Sequence, residues 1–330
     1  MRKMLQTMKT LLEEGQDLVL VTVIASSGAT PRGAGARMLV GKNGRICGTI
    51  GGGAVEYRSE QIALQVLQEK SSRGQDFSLT RDDVQNLGMI CGGACDVYFH
   101  YIPEGDTCIC DLVQKAESFF EENRDLWMVS DIGDGGKLSL ADKKDTTLAK
   151  YLTRHPCRVQ ENGKNLYVEQ INAAGMVYIF GGGHVAQELV PVLSHVGFRC
   201  VVMDDREEFT GKELFPSAER IVRGDFTRIE DVITITENDY VCVMTRGHGY
   251  DTVVQAQVLK KHPCYCGVIG SKFKAAGVRQ TLKEVYGLQD RELDQVTTPI
   301  GLDIKGETPA EIAITIAAQM ILVRAERSGL

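Results

Sequence analysis

The sequence predicts an α/β protein of two domains. An amino-terminal mixed α+β domain over residues 1–170 precedes a Rossmann-like, doubly wound parallel-sheet domain over 176–330. Three observations support this prediction. The chain has 330 residues, about twice the length of a usual ~150-residue domain. Strand patterns with glycine-rich turns dominate the first half, whereas short apolar runs alternate with helical patterns in the second. The segment INAAG at 171–175 is typical of a linker.

The amino-terminal domain is predicted to begin with an amphipathic helix over 1–12 and to continue mainly in strands. Runs rich in β-branched and aromatic residues predict strands at 18–26, 37–41, 46–50 and 95–102. Apolar residues at helical spacing predict helices over 54–70 and 111–123. Residues 124–170 resemble a β meander with a turn at 132–137.

The second half alternates between two kinds of segment. Apolar runs without polar alternation, as in strands covered on both faces, predict strands at 176–180, 199–205, 219–222, 239–245 and 265–270. Helical periodicity predicts helices at 185–196, 228–234, 251–261, 272–286 and 309–327. Strands that alternate with helices predict a parallel sheet with right-handed crossovers.

Charge and hydropathy exclude two classes of partner. The formal net charge is −7, and no cluster of Lys and Arg suits a nucleic-acid backbone. No stretch approaches the ~18 uninterrupted apolar residues of a membrane span. The amino terminus has charged residues and no apolar core run, so it does not match a signal peptide. We therefore expect a cytoplasmic protein that binds neither nucleic acid nor membrane.

A G-x-G-x-x-A fingerprint of dinucleotide binding lies between a predicted strand and a predicted helix. Gly181 permits the tight turn, Gly183 lets a pyrophosphate approach the backbone, and Ala186 allows close helix–strand packing. Asp204 ends the next strand, where an acid would bond the ribose of NAD, while Arg206 would suit the 2′-phosphate of NADP. The alternative is a turn kept for packing alone. The predicted nucleotide-binding residues are Gly181, Gly182, Gly183, His184, Ala186, Asp204, Arg206, Ser271 and Lys272.

Two further features follow strands of the predicted parallel sheet, at the edge where such sheets bind ligands. His248 is a candidate general acid or base, although it would equally cap a helix or bond a phosphate. Ser271 is expected to cap the helix that follows, and Lys272 adds a positive charge that suits an anion. The alternative for this pair is a well-capped helix without a ligand.

Glycine is over-represented, with 35 residues against about 23 expected from average usage. Many of them form three turns of the first half, at 28–37, 48–53 and 88–93. In the first turn, Arg32 and Arg37 are natural partners for a phosphate or another polyanion. In the third, Cys91 is followed by Gly92 and Gly93, a setting that frees backbone N–H groups around the sulfur and lowers the pKa of a thiol. Such a thiolate could attack a carbon or sulfur, or coordinate a soft metal.

The chain has ten cysteines, and a reducing cytosol would keep them as free thiols. Apart from Cys91, we expect them to pack as small apolar residues, although Cys95 could serve as a second thiol. Two C-x-C pairs, Cys108/Cys110 and Cys264/Cys266, lie in strand-like runs. Period-2 alternation predicts that each pair shares one sheet face.

Several of these motifs together resemble the XdhC/CoxI family, in that family's order, from about residue 21 to 325. In the first half they are T-P-R-x-x-G-x-R-M at 30–38, G-T-I-G-G-G-x-x-E at 48–56 and G-M-x-C-G-G at 88–93. In the second half they are F-G-G-G-H-V-A at 180–186, D-D-R-E-E-F at 204–209, G-V-I-G-S-K at 267–272, P-I-G-L-D-I at 299–304 and T-P-A-E-I-A at 308–313.

The resemblance implies an accessory factor for molybdenum hydroxylases of the xanthine dehydrogenase type. Such factors are thought to bind the molybdenum cofactor (molybdopterin), protect it while a cysteine desulfurase installs its terminal sulfur, and deliver it to the apoenzyme. On this basis Cys91 is expected to contact the cofactor and its molybdenum. The candidate molybdopterin residues are Arg32, Gly51, Gly52, Gly53, Glu56, Cys91, Gly92 and Gly93. The glycine turn of the Rossmann-like domain could bind NAD(P), or it could use the same phosphate-binding geometry on the molybdopterin itself.

We therefore expect a non-catalytic or marginally catalytic maturation factor, and a homodimer by the general prior for soluble proteins. The alternative is an NAD(P)-dependent oxidoreductase that uses His248 and Cys91 on a small substrate. A third possibility is a scaffold that docks a hydroxylase to a desulfurase and binds no small ligand.

Overall fold

The computed structural model of the chain describes residues 1–28, 32–78, 93–133 and 136–327. Contacts divide it into two compact units, Met1–Ala173 and Ala174–Leu330. This division falls inside the segment 171–175 that resembles a linker.

The amino-terminal unit is a mixed α+β structure. Its helices are α1 (Arg2–Glu13), α2 (Gly53–Glu69) and α3 (Thr107–Glu121). Its strands are β1 (Leu18–Ser27), β2 (Arg37–Gly41), β3 (Gly44–Thr49), β4 (Arg73–Ser78), β5 (Ala94–Ile102), β6 (Leu126–Asp131), β7 (Leu138–Ala141), β8 (Cys157–Glu161) and β9 (Lys164–Asn172).

The strands of this unit form two antiparallel sheets. The first has the order β3-β2-β1-β5-β4, with β1 in the middle. Its centre is buried on both faces, because α1 and α3 pack on one side and α2 packs on the other. The second sheet has the order β7-β6-β9-β8 and a small core around Trp127.

The carboxyl-terminal unit is built around one parallel sheet. Its strands are β10 (Val177–Phe180), β11 (Cys200–Asp204), β12 (Arg220–Arg223), β13 (Tyr240–Val243), β14 (Tyr265–Val268) and β15 (Val296–Thr297). Its helices are α4 (His184–His195), α5 (Asp251–Leu259), α6 (Lys272–Glu284), α7 (Asp290–Leu293) and α8 (Pro309–Arg327). The strand order β12-β11-β10-β13-β14-β15 is that of a Rossmann fold, with the reversal between β10 and β13.

Separate apolar clusters cover the two faces of this sheet, one including residues of α4 and α8 and the other residues of α5 and α6. The predicted fold class, a mixed α+β domain followed by a doubly wound parallel sheet, is therefore confirmed. Within the described ranges, no helix combines the length and the apolar character needed to cross a bilayer.

Three local predictions are wrong. Cys264 packs against the apolar cluster that includes residues of α4 and α8, whereas Cys266 belongs to the cluster on the other side of the sheet, so this pair does not share one sheet face. Cys108 and Cys110 lie in the first turn of α3 rather than in a strand, because the Asp106 carboxylate accepts the N–H of Ile109 and starts a helix there. The helix predicted at 228–234 is only a 3₁₀ turn at Ile229–Asp231. The run of β-branched residues that follows it, Val232 to Thr236, disfavours continued helix. Three short elements, β4, α7 and β15, have no counterpart among the predicted ones.

Candidate functional site

A glycine loop leads from β3 directly into α2. Gly51, Gly52 and Gly53 have φ values of +127°, +75° and +64°, which residues with a side chain rarely adopt. The 17-residue helix α2 begins within this loop, at Gly53. This geometry explains the run of three glycines.

The Glu56 carboxylate holds this loop in place from inside. One of its oxygens, Oε2, accepts the N–H groups of Ile50 at 2.9 Å and Gly52 at 3.1 Å, and also the hydroxyl of Thr49. The other, Oε1, accepts Arg45 Nη1 at 2.6 Å. Glu56 is therefore a positioning residue for the loop, and both of its oxygens are occupied by the chain itself.

The environment of Glu56 favours the ionised carboxylate. Burial acts to raise its pKa, but the hydrogen bonds from Thr49, Gly52 and Ile50, together with the charge of Arg45, outweigh that effect and hold the pKa below its ordinary value. The Gly51 N–H donates to Thr49 Oγ1 at 3.0 Å. The amides of residues 50 to 52 are thus used within the loop, so an anion at this end of the unit would meet Gly53 and the first turn of α2.

A basic pocket of about 400 Å³ lies beside the segment Gly33–Ala36. Arg32, the predicted phosphate partner, lines it, and so does Arg154. Arg154 belongs to the loop before β8, more than a hundred residues further along the chain. No motif surrounds Arg154 in the sequence, and only the tertiary fold brings it to the pocket of Arg32.

A buried ion pair lies below this pocket. The guanidinium of Arg37, on β2, pairs with the carboxylate of Glu169, on β9, and their side chains are 9% and 6% exposed. The Tyr167 hydroxyl also donates to Glu169, at 3.4 Å. Burial lowers the pKa of Arg37 to about 10, which still leaves it charged at neutral pH. The pair links the two sheets of the amino-terminal unit, so Arg37 is used within the fold and is not the phosphate partner that the sequence predicts.

Cys91 and Gly92 lie outside the described residues. Gly93, which is buried, directly precedes β5. Cys95 is 4% exposed, and burial raises the pKa of its thiol. Its environment is that of a packed thiol, which favours packing over a role as a second reactive cysteine.

The turn after β10 is closely packed against its own unit. A Cβ on Gly181 would lie 2.2 Å from the carbonyl oxygen of Met244, and one on Gly182 would lie 2.6 Å from that of Phe209. Gly183 is the N-cap of α4, His184 begins the helix and is exposed, and Ala186 is fully buried. The first two glycines therefore have packing roles, whereas Gly183 faces open space.

Asp204 lies where a Rossmann protein would bond a ribose, but its carboxylate is occupied. It accepts the Gly182 N–H at 2.7 Å, the Arg206 N–H at 3.0 Å and two bonds from the Arg206 guanidinium at 2.9 and 3.0 Å. The residue is fully buried, and the Arg206 guanidinium lies 3.8 Å from the centre of the Phe209 ring. A ribose hydroxyl would have to displace one of these donors, so the geometry favours the packing alternative for this turn.

The hydrogen bonds also control the charge of Asp204. Burial acts to raise the pKa of this carboxyl, but the bonds from Arg206 and the Gly182 N–H outweigh it and lower the pKa. Arg206 is in turn committed to Asp204 and is not set up to receive a 2′-phosphate.

A second cavity, of about 550 Å³, lies at the carboxyl edge of β13, β14 and β15. Gly270 and Ser271 line it beside apolar residues of α6. Ser271 Oγ accepts the Lys274 N–H at 3.4 Å and so caps α6, as predicted. His248 ends the 3₁₀ turn Arg246–His248 and Lys272 begins α6, while their side chains lie outside the described part of the structure.

Asp251, at the start of α5, organises the turn beside this cavity. Its carboxylate accepts the Thr245 N–H at 3.0 Å and the Thr245 hydroxyl at 2.6 Å. Among the residues that the structure describes, no group of three or more His, Cys, Asp or Glu side chains could hold a metal ion.

Comparison with known proteins finds a matching family model for each half of the chain. The model described as the XdhC and CoxI family matches residues 11–78, and the model described as the XdhC Rossmann domain matches residues 177–320. A Bacillus subtilis (strain 168) protein named as a probable xanthine dehydrogenase subunit is 23% identical, with 95% of each chain covered. The Escherichia coli (strain K12) protein named "Molybdenum cofactor insertion chaperone PaoD" is 21% identical over 95% of this chain and 85% of its own.

The fold also matches a solved structure. A crystal structure from Bacillus halodurans, described as that of a xanthine dehydrogenase, superposes with a TM-score of 0.79 at 23% identity, covering 98% of this chain and 96% of that one. The two family matches occur in the order of the motifs and together span more than half of the chain. This chain therefore belongs to the XdhC and CoxI family.

Proposed function

We propose that this protein is an accessory factor that binds the molybdenum cofactor and delivers it to a molybdenum hydroxylase of the xanthine dehydrogenase type. The observation that carries the proposal is the similarity, over nearly the whole chain, to a protein named as a molybdenum cofactor insertion chaperone. The relative named as a probable xanthine dehydrogenase subunit supports the class of client enzyme.

The amino-terminal unit is the proposed cofactor-binding part. It combines the glycine loop at 51–53, the basic pocket of Arg32, and the C-G-G motif with Cys91. Guanidinium groups suit a phosphate, and a thiolate suits molybdenum as a soft ligand. In this proposal Cys91 contacts the metal centre, with Gly92 and Gly93 beside it, while Glu56 shapes the neighbouring loop.

Sulfuration and dimer formation complete the proposal. The bound cofactor is held until a cysteine desulfurase has installed its terminal sulfur, and the protein acts as a homodimer in the cytoplasm. The carboxyl-terminal Rossmann unit has no NAD(P) role here, because the Asp204 carboxylate is occupied by Gly182 and Arg206.

Delivery is tested by reconstitution. A cofactor-free xanthine dehydrogenase-type hydroxylase is mixed with this protein after the protein has been incubated with molybdenum cofactor, and hydroxylase activity is followed over time. We expect faster and more complete activation than with the same amount of free cofactor. Equal activation with and without the protein would contradict delivery. Reduction of NAD⁺ by the protein alone, with a small substrate, would instead support the oxidoreductase alternative.

A further inference from the structure

The basic pocket of the amino-terminal unit contains two cations that the fold brings together. Arg32 is exposed and Arg154 is half-buried, and both line the same volume of about 400 Å³. Within the described ranges, neither side chain has a hydrogen-bond or ion-pair partner. Many other arginines of this unit do have an acidic partner, for example Arg2 with Glu117 and Arg158 with Asp96. Two uncommitted guanidinium groups at one pocket are suited to an anion from outside the chain.

The walls of the pocket are held in place on both sides. On the Arg32 side, the Gly35 N–H donates to the Val23 carbonyl at 2.9 Å, and the Val23 N–H donates to the Ala36 carbonyl at 2.8 Å. On the Arg154 side, the Trp127 indole N–H donates to the carbonyl of Thr153 at 2.7 Å. The backbone next to each arginine is thus anchored to the first or second sheet before any ligand arrives.

The acidic residue of the pocket does not cancel its charge. Glu169 lies beside Gly35, and its carboxylate is paired with the buried guanidinium of Arg37 and accepts the Tyr167 hydroxyl. The ion pair is neutral as a unit, so Arg32 and Arg154 give the pocket two positive charges. A ligand with two negative charges neutralises these two positive charges better than a singly charged carboxylate does.

From this geometry we infer that Arg32 and Arg154 form a binding site for a phosphate monoester, and that this site receives the terminal phosphate of the molybdenum cofactor. A phosphate monoester is close to a dianion at neutral pH, and guanidinium groups bind its oxygens in a bidentate manner. The pocket volume exceeds that of a phosphate ion and leaves room for the adjoining part of a larger molecule. The assignment to the cofactor rests on the proposed function, whereas the phosphate site itself does not.

The experiment uses the full-length chain and two probes. Binding of inorganic phosphate is measured by isothermal titration calorimetry for the wild type, Arg32→Ala, Arg154→Ala and Arg158→Ala. The last variant is the matched control, since Arg158 lies four residues from Arg154 but pairs with Asp96. Retention of molybdenum cofactor through a desalting column is then measured for the same four proteins.

The site predicts saturable phosphate binding that weakens as the salt concentration rises. Loss of one charge-assisted contact is expected to raise the phosphate dissociation constant about tenfold or more in Arg32→Ala and Arg154→Ala. The control should bind as the wild type does. If the wild type shows no saturable phosphate binding, or if Arg158→Ala loses binding to the same extent, the proposed phosphate site is wrong.

The cofactor measurement distinguishes the existence of the phosphate site from its assignment to the cofactor phosphate. If Arg154→Ala loses the cofactor faster than Arg158→Ala does, the assignment of the site to the cofactor phosphate is supported. Equal retention in these two variants, with phosphate binding lost only in Arg154→Ala, overturns that assignment. If no variant and not even the wild type retains cofactor while phosphate binds as expected, the phosphate site stands and the proposed function fails.

Discussion

Replacement of Glu56 by Ala should destabilise the amino-terminal unit and release the glycine loop. The carboxylate accepts two backbone N–H groups and one hydroxyl on one oxygen, and a guanidinium on the other. Hydrogen bonds to a charged acceptor contribute about 1.5–3 kcal/mol each, but bonds that share an oxygen are not additive. Because the Arg45 side chain is 43% exposed, its ion pair with Glu56 contributes little to the free energy of unfolding. We expect a loss of about 3 kcal/mol in the free energy of unfolding of this unit.

Trp127 makes this measurement specific. It is the one tryptophan of the chain and is buried in the second sheet of the amino-terminal unit, 2% exposed. Its fluorescence in urea therefore reports the unfolding of this unit. Glu69→Ala is the matched control, since Glu69 ends the same helix and forms only an exposed pair with Arg73, which is expected to contribute about 0.5 kcal/mol or less.

The pH dependence gives an independent check. The pKa of Glu56 is lower in the folded protein than its ordinary value, so its contribution is complete above that ordinary value and is lost as the pH falls through the lowered one. The stability difference between wild type and Glu56→Ala should therefore shrink in acid, below about pH 4. A difference under about 1 kcal/mol at pH 7, no larger than that of the control, would refute the role given to Glu56.

Four further predictions follow from buried groups and close contacts. Burial lowers the pKa of His100 to about 4. When the pH is lowered from about 6.5 to 4, the unfolded chain takes up the proton before the folded protein does, so the free energy of unfolding should decrease. Urea titrations should show a smaller decrease for His100→Gln. Gly181→Ala should lower the midpoint of thermal unfolding of the carboxyl-terminal unit, because its Cβ would overlap the Met244 carbonyl oxygen at a φ of +114°; an unchanged midpoint would contradict that contact. A thiol reagent should modify exposed Cys108 rapidly and Cys242 only on unfolding, since burial raises the pKa of the Cys242 thiol well above its usual range. NADH fluorescence titrations should show no saturable binding, and tight binding would show that a nucleotide displaces the bonds to Asp204.

Local patterns predict much of this fold because they follow directly from physical periodicity. The helix predicted over 309–327 occurs as Pro309–Arg327, since its apolar and small residues recur at helical spacing. The strands of the parallel sheet are found as short runs buried on both faces, such as Val177–Phe180. The glycines at 48–53 predict a turn, and there Gly51, Gly52 and Gly53 have positive φ values that residues with a side chain disfavour.

The sites were harder to predict, because a sequence does not show which polar groups are satisfied within the fold. Asp204 occupies the expected place in a dinucleotide fingerprint, yet its own neighbours use its carboxylate. Glu56 belongs to a family motif, yet it bonds the loop rather than facing outward. Arg154 has no motif at all, and only the packing of the second sheet beside the segment Gly33–Ala36 brings it to Arg32. In each case tertiary contacts, not local pattern, decide the role.

The cofactor content of the purified protein shows whether the chain holds the molybdenum cofactor. Wild type and Cys91→Ser are purified from cells that synthesise the cofactor and are then desalted. Molybdenum is measured by mass spectrometry, and the pterin by fluorescence after oxidation. Wild type should retain molybdenum and pterin in equal amounts, and Cys91→Ser should retain much less of both. Wild-type protein with no more of either than an unrelated protein purified in parallel would contradict cofactor binding by the chain.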